Sequence, residues 1–200
     1  MENSETKQIT YFKKPGKENT DKAIQLAVKR AEEGDIKKIV VATSSGETGL
    51  KVIKAFKAKN IQVIPVTLNA GSSFSGSNEW EKNKKEFEKL GVKYIQGIQT
   101  FSGVERAIRE RWNTAGPVMV LSDALRIPGE GFKVAIEVIV MATDAGLISP
   151  NEIVIAIAGT SRGADTVLVV KPSYSHKFFD LAVREIVCKP LVEGVKHEAR

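Results

Sequence analysis

The sequence has few of the residues that most often carry covalent or metal chemistry: one cysteine, Cys188, and two histidines, His176 and His197, in 200 residues. A single cysteine excludes a disulfide within the chain and any centre built from several cysteines. Two histidines without a cysteine cluster leave no zinc ligand set, so a metal site would have to come from carboxylates alone, and none is expected. Aromatic residues make up 6% and never alternate with a basic run, which argues against nucleic-acid binding despite a net charge of +6. The lysines are interleaved with glutamates, most clearly over residues 79–89, as on a solvated helix face. The longest apolar run, residues 134–142, is interrupted by Glu137 and is too short to span a bilayer. The opening Met-Glu-Asn-Ser-Glu-Thr-Lys lacks the apolar core of a secretory signal. These absences lead us to expect a cytoplasmic protein with no membrane partner. What is present, 42% hydrophobic and 27% charged residues over 200 positions, fits one globular domain covering residues 1–200.

The chain is organised around residues 38–50, Lys-Ile-Val-Val-Ala-Thr-Ser-Ser-Gly-Glu-Thr-Gly-Leu. Residues 39–42 are short, apolar and β-branched, as in a parallel strand covered on both faces. Thr43, Ser44, Ser45 and Gly46 then offer hydroxyls and open backbone N–H groups, and Leu50, Ile53 and Phe56 recur at helical spacing. Such a strand-to-helix turn points a helix N-terminus, with its partial positive charge, at whatever the loop holds. The pattern is neither Gly-x-Gly-x-x-Gly nor a P-loop and names no nucleotide. A well-capped turn without a ligand explains it equally well.

Further strands are expected at residues 9–12, 61–67, 92–98, 153–158 and 166–170, with 184–188 as an edge strand. Pro65 suits a strand end or edge. A first helix, with Asn19 and Thr20 as N-caps, carries an apolar stripe of Ala23, Ile24, Ala27, Val28 and Ala31. Others are expected over 48–57, over 78–90 with Asn78 and Glu81 as cap, and from Ser102 with a capping-box spacing to Glu105 and Val104, Ala107, Ile108 and Trp112 on one face. Pro117 opens another. Residues 132–145 read as a buried helix, with a strand as the alternative. Residues 69–77, rich in glycine and serine, read as a mobile loop, either a lid over a site or a plain surface loop. Seven residues between the strands at 153–158 and 166–170 are too few for a crossover helix, so that pair is expected to be antiparallel.

Residues 39–49 and 61–67 together resemble the C-terminal domain of pyruvate kinase, in which a strand, a Ser/Thr-Gly loop, a helix and a strand ending in Val-Thr follow one another. From Ile9-Thr-Tyr-Phe-Lys-Lys-Pro-Gly-Lys-Glu-Asn-Thr to Gly-Thr-Ser-Arg-Gly-Ala-Asp-Thr at 159–166, the chain is similar to stand-alone prokaryotic relatives of that domain. The resemblance implies an α/β fold: a three-layer α/β/α sandwich around a mixed, mostly parallel five-stranded sheet with one antiparallel strand. It does not imply kinase activity, whose chemistry resides in a separate barrel. It does imply a pocket for a phosphorylated ligand, built by Thr43, Ser44, Ser45, Gly46 and Thr48, with Gly49 closing the same loop, and by a second loop of Gly159, Thr160, Ser161, Arg162, Gly163, Ala164, Asp165 and Thr166. Glu47 departs from the pattern, because the pyruvate kinase loop commonly carries a basic residue there. It either repels a phosphate or complements the helix dipole, while Arg162 either supplies the missing charge or is a surface arginine on a turn. Asp165 either accepts from a sugar or ribityl hydroxyl or stabilises its own turn.

Loops that follow parallel strands gather at the carboxyl edge of an open sheet. That rule adds Asn19, Thr20 and Thr67 to the site. Three functions are carried forward: a binding or regulatory module for a small phosphorylated ligand, an FMN-dependent enzyme with Phe74 or Tyr174 as the wall for the ring, and an oligomeric structural protein using the buried helix over residues 132–145 partly as its homo-oligomer interface. No catalytic residue is assigned. His176 is expected to be exposed or structural.

Overall fold

The computed structural model describes residues 4–191. Seven strands form one sheet: β1 (Thr10–Phe12), β2 (Lys38–Ala42), β3 (Gln62–Thr67), β4 (Ile95–Gln96), β5 (Val154–Ala158), β6 (Thr166–Lys171) and β7 (Ala182–Pro190). Their order is β1-β7-β6-β5-β2-β3-β4. Only β6 runs against the rest, pairing antiparallel with both β5 and β7. The class and the antiparallel pair are as expected; the five-strand count implied by the resemblance is exceeded, because β1 and β4 add short outer strands. The segment at 184–188, expected at an edge, is instead a nine-residue strand between β6 and β1. The strand expected over 92–98 shrinks to two residues, which pair only with Val66 and Thr67.

β5 and the inner residues of β2 and β6 are apolar because both of their faces are covered. Ile39, Val41, Ile155, Ile157, Val167 and Val169 face one layer, and Val40, Val154, Ala156, Leu168 and Val170 the other. The first layer holds α1 (Thr20–Ala31) and α2 (Glu47–Phe56), whose buried stripes include Ala23, Ile24, Ala27 and Ala31, and Gly49, Val52 and Phe56. The second holds α6 (Glu130–Asp144), with α5 (Pro117–Arg126) packed on it. Residues 135–143 of α6 are buried without a break, which settles their helical reading and leaves this helix inside the chain's own core. Outside that span Phe132 and Val134 are half-buried and Asp144 is exposed, so only the ends of the helix stand toward solvent.

The flanking helices are α3 (Asn78–Lys89) and α4 (Gly103–Trp112). The cap of α3 is Ser77, whose hydroxyl accepts from Trp80 N–H at 3.2 Å, and not Asn78. Trp80 and Phe87 anchor it, each fully buried aromatic contributing about 2–3 kcal/mol. The expected capping box of α4 does not form; Ser102 Oγ donates to Gln99 instead. None of the α4 residues is buried. Pro65 lies within β3, opposite Val41. Gln62 N–H and Val66 C=O bond toward β2, so alternation turns the missing donor of Pro65 toward β4, which begins pairing only at Val66.

Among the described residues no helix is long and apolar enough to cross a membrane.

Candidate ligand site at the carboxyl edge

The strand directions bring residues 13–19, 43–46, 68–77 and 159–165 to one edge of the sheet. Their hydrogen bonds show how closely they meet. Asp165, with no exposed surface, accepts from Gly16 N–H at 3.0 Å and Thr160 N–H at 3.1 Å through Oδ2, and from the Thr166 hydroxyl at 2.8 Å through Oδ1. Thr20 Oγ1 donates to Lys17 C=O at 2.6 Å and accepts from Ala164 N–H at 3.0 Å. Gly163, at φ +78°, lies so close to Thr20 and Lys17 that a side chain there would overlap both. The loop after β1 and the loop between β5 and β6 are therefore one joined unit. Asn19 stands at the cap position of α1 but makes no capping bond; its side chain turns back to Lys14 C=O at 2.8 Å.

The loop between β2 and α2 is held from below and from the side. Thr67 Oγ1 donates to Ser44 C=O at 3.3 Å, and Thr43 Oγ1 accepts from Gly49 N–H at 3.2 Å. Beside it lies α3, which presents Glu79, Asn83 and Phe87 at i, i+4 and i+8. Asn83 donates to Ser45 C=O at 2.8 Å, and the Phe87 ring covers Gly49. Gly46 opens α2 at φ +88°, and a Cβ there would come within 2.5 Å of Asn83 Cβ. With no side-chain cap on α2, the N–H groups of Ser44, Ser45, Gly46, Glu47 and Thr48 have no acceptor among the described residues. Thr43, Ser45, Thr48, Gly49 and Thr67 are buried, whereas Ser44, Gly159, Thr160 and Gly163 are half-buried and Ser161 and Arg162 exposed.

Two cations stand at this edge, each held by a carboxylate. Arg162 donates to Glu79 at 2.7 Å, and Lys17 to Glu47 at 3.0 Å. The Ser45 hydroxyl, with Arg162 as a second influence, keeps the Glu79 carboxyl below the usual carboxylate range. Ser161 adopts a left-handed conformation at φ +61°, which turns the loop tip toward solvent.

All the site residues expected from the sequence thus reach the same edge, but they divide by use. The side chains of Asn19, Thr20, Thr43, Thr67, Asp165 and Thr166 are committed to bonds that build the loops. Open backbone donors remain at residues 44–48 among the described residues, while Arg162 is paired with Glu79. Lys17, Glu79 and Asn83 were not picked out from the sequence. The i, i+4 spacing of Glu79, Asn83 and Phe87 was the available signal, masked by the many charges of α3.

Of the two aromatic walls expected for a flavin ring, Phe74 lies in the loop after β3, at this edge, half-buried. Tyr174 does not reach it. β6 starts at the carboxyl edge and carries the chain ~20 Å to the other side before Tyr174. There Tyr174 stacks on His176, which is exposed. His197 lies outside the described residues. Cys188 is buried, and burial pushes its thiol up to about 12, far from a reactive thiolate. No group of three or more His, Cys, Asp or Glu residues placed to hold a metal occurs among the described residues. A groove of about 430 Å³ opens at the amino edge, lined by Phe56, Ile61, Val63, Val92 and Leu147 with Lys57 and Lys93, and it contains none of the expected site residues.

The chain is similar to known proteins in two comparisons. The family model described as pyruvate kinase, alpha/beta domain, matches residues 21–170. Among solved structures, an NH3-dependent NAD synthetase from Campylobacter jejuni in complex with the nitrate ion is 15% identical, with a TM-score of 0.39. The alignment covers 68% of this chain and 54% of that one, so this chain spans about half of that protein's length.

Proposed function

We propose, starting from the premise that the chain belongs to the family of the pyruvate kinase alpha/beta domain, that it is a binding or regulatory module for a small phosphorylated ligand. The described residues form the α/β domain and no barrel, so pyruvate kinase chemistry is not expected of them. The observation that carries the reading is the row of N–H groups at residues 44–48 without an acceptor among the described residues, at the positive end of α2 and beside Arg162 and Lys17. A phosphate there accepts from the backbone N–H groups and gains the helix dipole. It competes with Glu79 for Arg162, and an exposed ion pair of that kind is worth about 0–1 kcal/mol, so the exchange costs little. The charge of Glu47 is offset by Lys17. The amino-edge groove is lined by lysines and by Phe56, Ile61, Val63, Val92 and Leu147, and includes no helix N-terminus and no hydroxyl-bearing loop.

Titration calorimetry with sugar phosphates, nucleotides and FMN tests the proposal. Binding is expected, and Arg162→Ala should weaken it about tenfold or more, since a charge-assisted bond is worth about 1.5–3 kcal/mol. No binding of any of these, or binding indifferent to Arg162→Ala, would refute it.

A second reading is favoured by Phe74, which stands at the same edge: the phosphorylated ligand is FMN and the protein an enzyme. The residues fit the group in two respects, with donors at 44–48 and Arg162 for its phosphate and Phe74 for its ring. When bound, FMN would supply electron and hydride transfer, leaving the protein to position and shield it. A flavin absorbance spectrum in the freshly purified protein, with a matching mass increment, would put this reading first.

A further inference from the structure

Between Phe87 and Ser122 the chain buries a single residue, Phe101, which is 4% exposed. Residues 97–116, which carry α4 from the end of β4 to the start of α5, are therefore fixed to the body at one point. α4 itself buries none of its residues, and a ten-residue helix is marginal in water on its own. Apart from the junction with α5, two hydrogen bonds leave this segment among the described residues. Phe101 N–H donates to Glu137 Oε1 at 2.8 Å, and Glu105 accepts from Met119 N–H at 3.4 Å.

The anchoring point lies over a pair of charges. Lys133 and Glu137, one turn apart on α6, are 4% and 3% exposed, and Lys133 Nζ donates to Glu137 Oε2. Phe101 covers them: its N–H occupies the other carboxylate oxygen, its ring centre lies 5.6 Å from Lys133 Nζ, and the ring meets Phe178 edge-on at 5.4 Å. The two parts of this contact act in opposite directions. Burying the Phe101 ring favours the closed arrangement. Keeping a lysine and a glutamate out of water opposes it, because desolvation can outweigh their attraction, and lifting Phe101 lets water back to both.

We propose that residues 97–116 form a strap that opens and closes as a unit about a Phe101 latch while the sheet stays folded, and that the Lys133–Glu137 pair beneath the latch keeps it poised to open. The strap has the properties of a low-stability unit: one buried apolar side chain, an exposed helix and few bonds to the rest. The ion pair adds a specific prediction. A pair that merely held the strap down would loosen it when removed, whereas a pair that pays a hydration cost only when covered tightens it when neutralised.

Hydrogen exchange of the full chain at neutral pH without denaturant, read by mass spectrometry of peptides, tests this directly. In the wild type, peptides within 97–116 should exchange about 100-fold faster or more than those of β2 and β5. Phe101→Ala should speed the strap a further tenfold or so and leave β2 and β5 as in the wild type. Should Phe101→Ala fail to fold, Phe101→Leu takes its place with a smaller acceleration confined to the same peptides. Lys133→Met combined with Glu137→Gln, which keeps an acceptor for Phe101 N–H and removes both charges, should slow exchange of the strap about threefold or more. A strap as protected as β2 and β5, a Phe101 variant that leaves the strap unchanged or speeds β2 and β5 equally, or a neutralised pair that speeds the strap would each overturn the proposal.

Discussion

At the scale of single residues, Asp165 shows how a polar side chain in a ligand-like loop becomes architecture. It is fully buried and its bonds reach the loop after β1, its own loop and the start of β6. Asp165→Ala would leave two half-buried backbone donors and the buried Thr166 hydroxyl without their acceptor and should cost about 3 kcal/mol in urea unfolding. Asp165→Asn, whose amide oxygen still accepts, should cost less. Cys188 is the converse case, a reactive atom without access. A thiol reagent should leave it unmodified in the native protein and modify it once urea is added. Its burial could not be read from the sequence, because a lone cysteine in a mixed apolar and charged segment is compatible with either face of a strand.

At the scale of elements, the strand-to-helix turn at residues 43–49 was legible because glycine, hydroxyl residues and a change of period coincide there. The role of α3 was not. Its charges mark a solvated helix, and only the packing reveals that Glu79, Asn83 and Phe87 lie along the loop they brace. Gly46→Ala tests that bracing. The left-handed φ of Gly46 and the closeness of Asn83 should together cost about 2–4 kcal/mol in chemical denaturation. A second example joins α1 to β7. Arg30, nearly buried, donates to Asp35 at 2.7 and 3.0 Å and to Glu185 at 2.7 and 2.8 Å. Its hydrogen bonds hold both carboxyls below their usual range and raise the guanidinium further. Arg30→Ala should destabilise by about 3–5 kcal/mol, since Glu185 loses its principal partner in a poorly hydrated position.

At the scale of the whole molecule, that cluster sets an acid limit. Asp35 and Glu185 titrate lower when folded than when unfolded, so the unfolded chain binds more protons as the pH drops. Their contribution is present above the ordinary carboxylate range near pH ~4 and is lost as the pH falls through their lowered values. Chemical denaturation across pH 2–7 should show this loss, and Glu185→Gln should flatten part of it. The alternation of strands and helices, the antiparallel β5–β6 pair and the gathering of loops at one edge all follow from local periodicity and connection length, which are properties of neighbouring residues. Three things depended on partners far along the chain and so on the tertiary structure alone. β7 became an inner strand because β1 crosses the sheet to pair with it. Tyr174 went to the opposite edge because β6 runs against its neighbours. The apolar face of α4 stayed open because α5, and not α4, covers α6. Periodicity shows that a helix has an apolar face; only the packing of distant segments decides whether its own chain covers it.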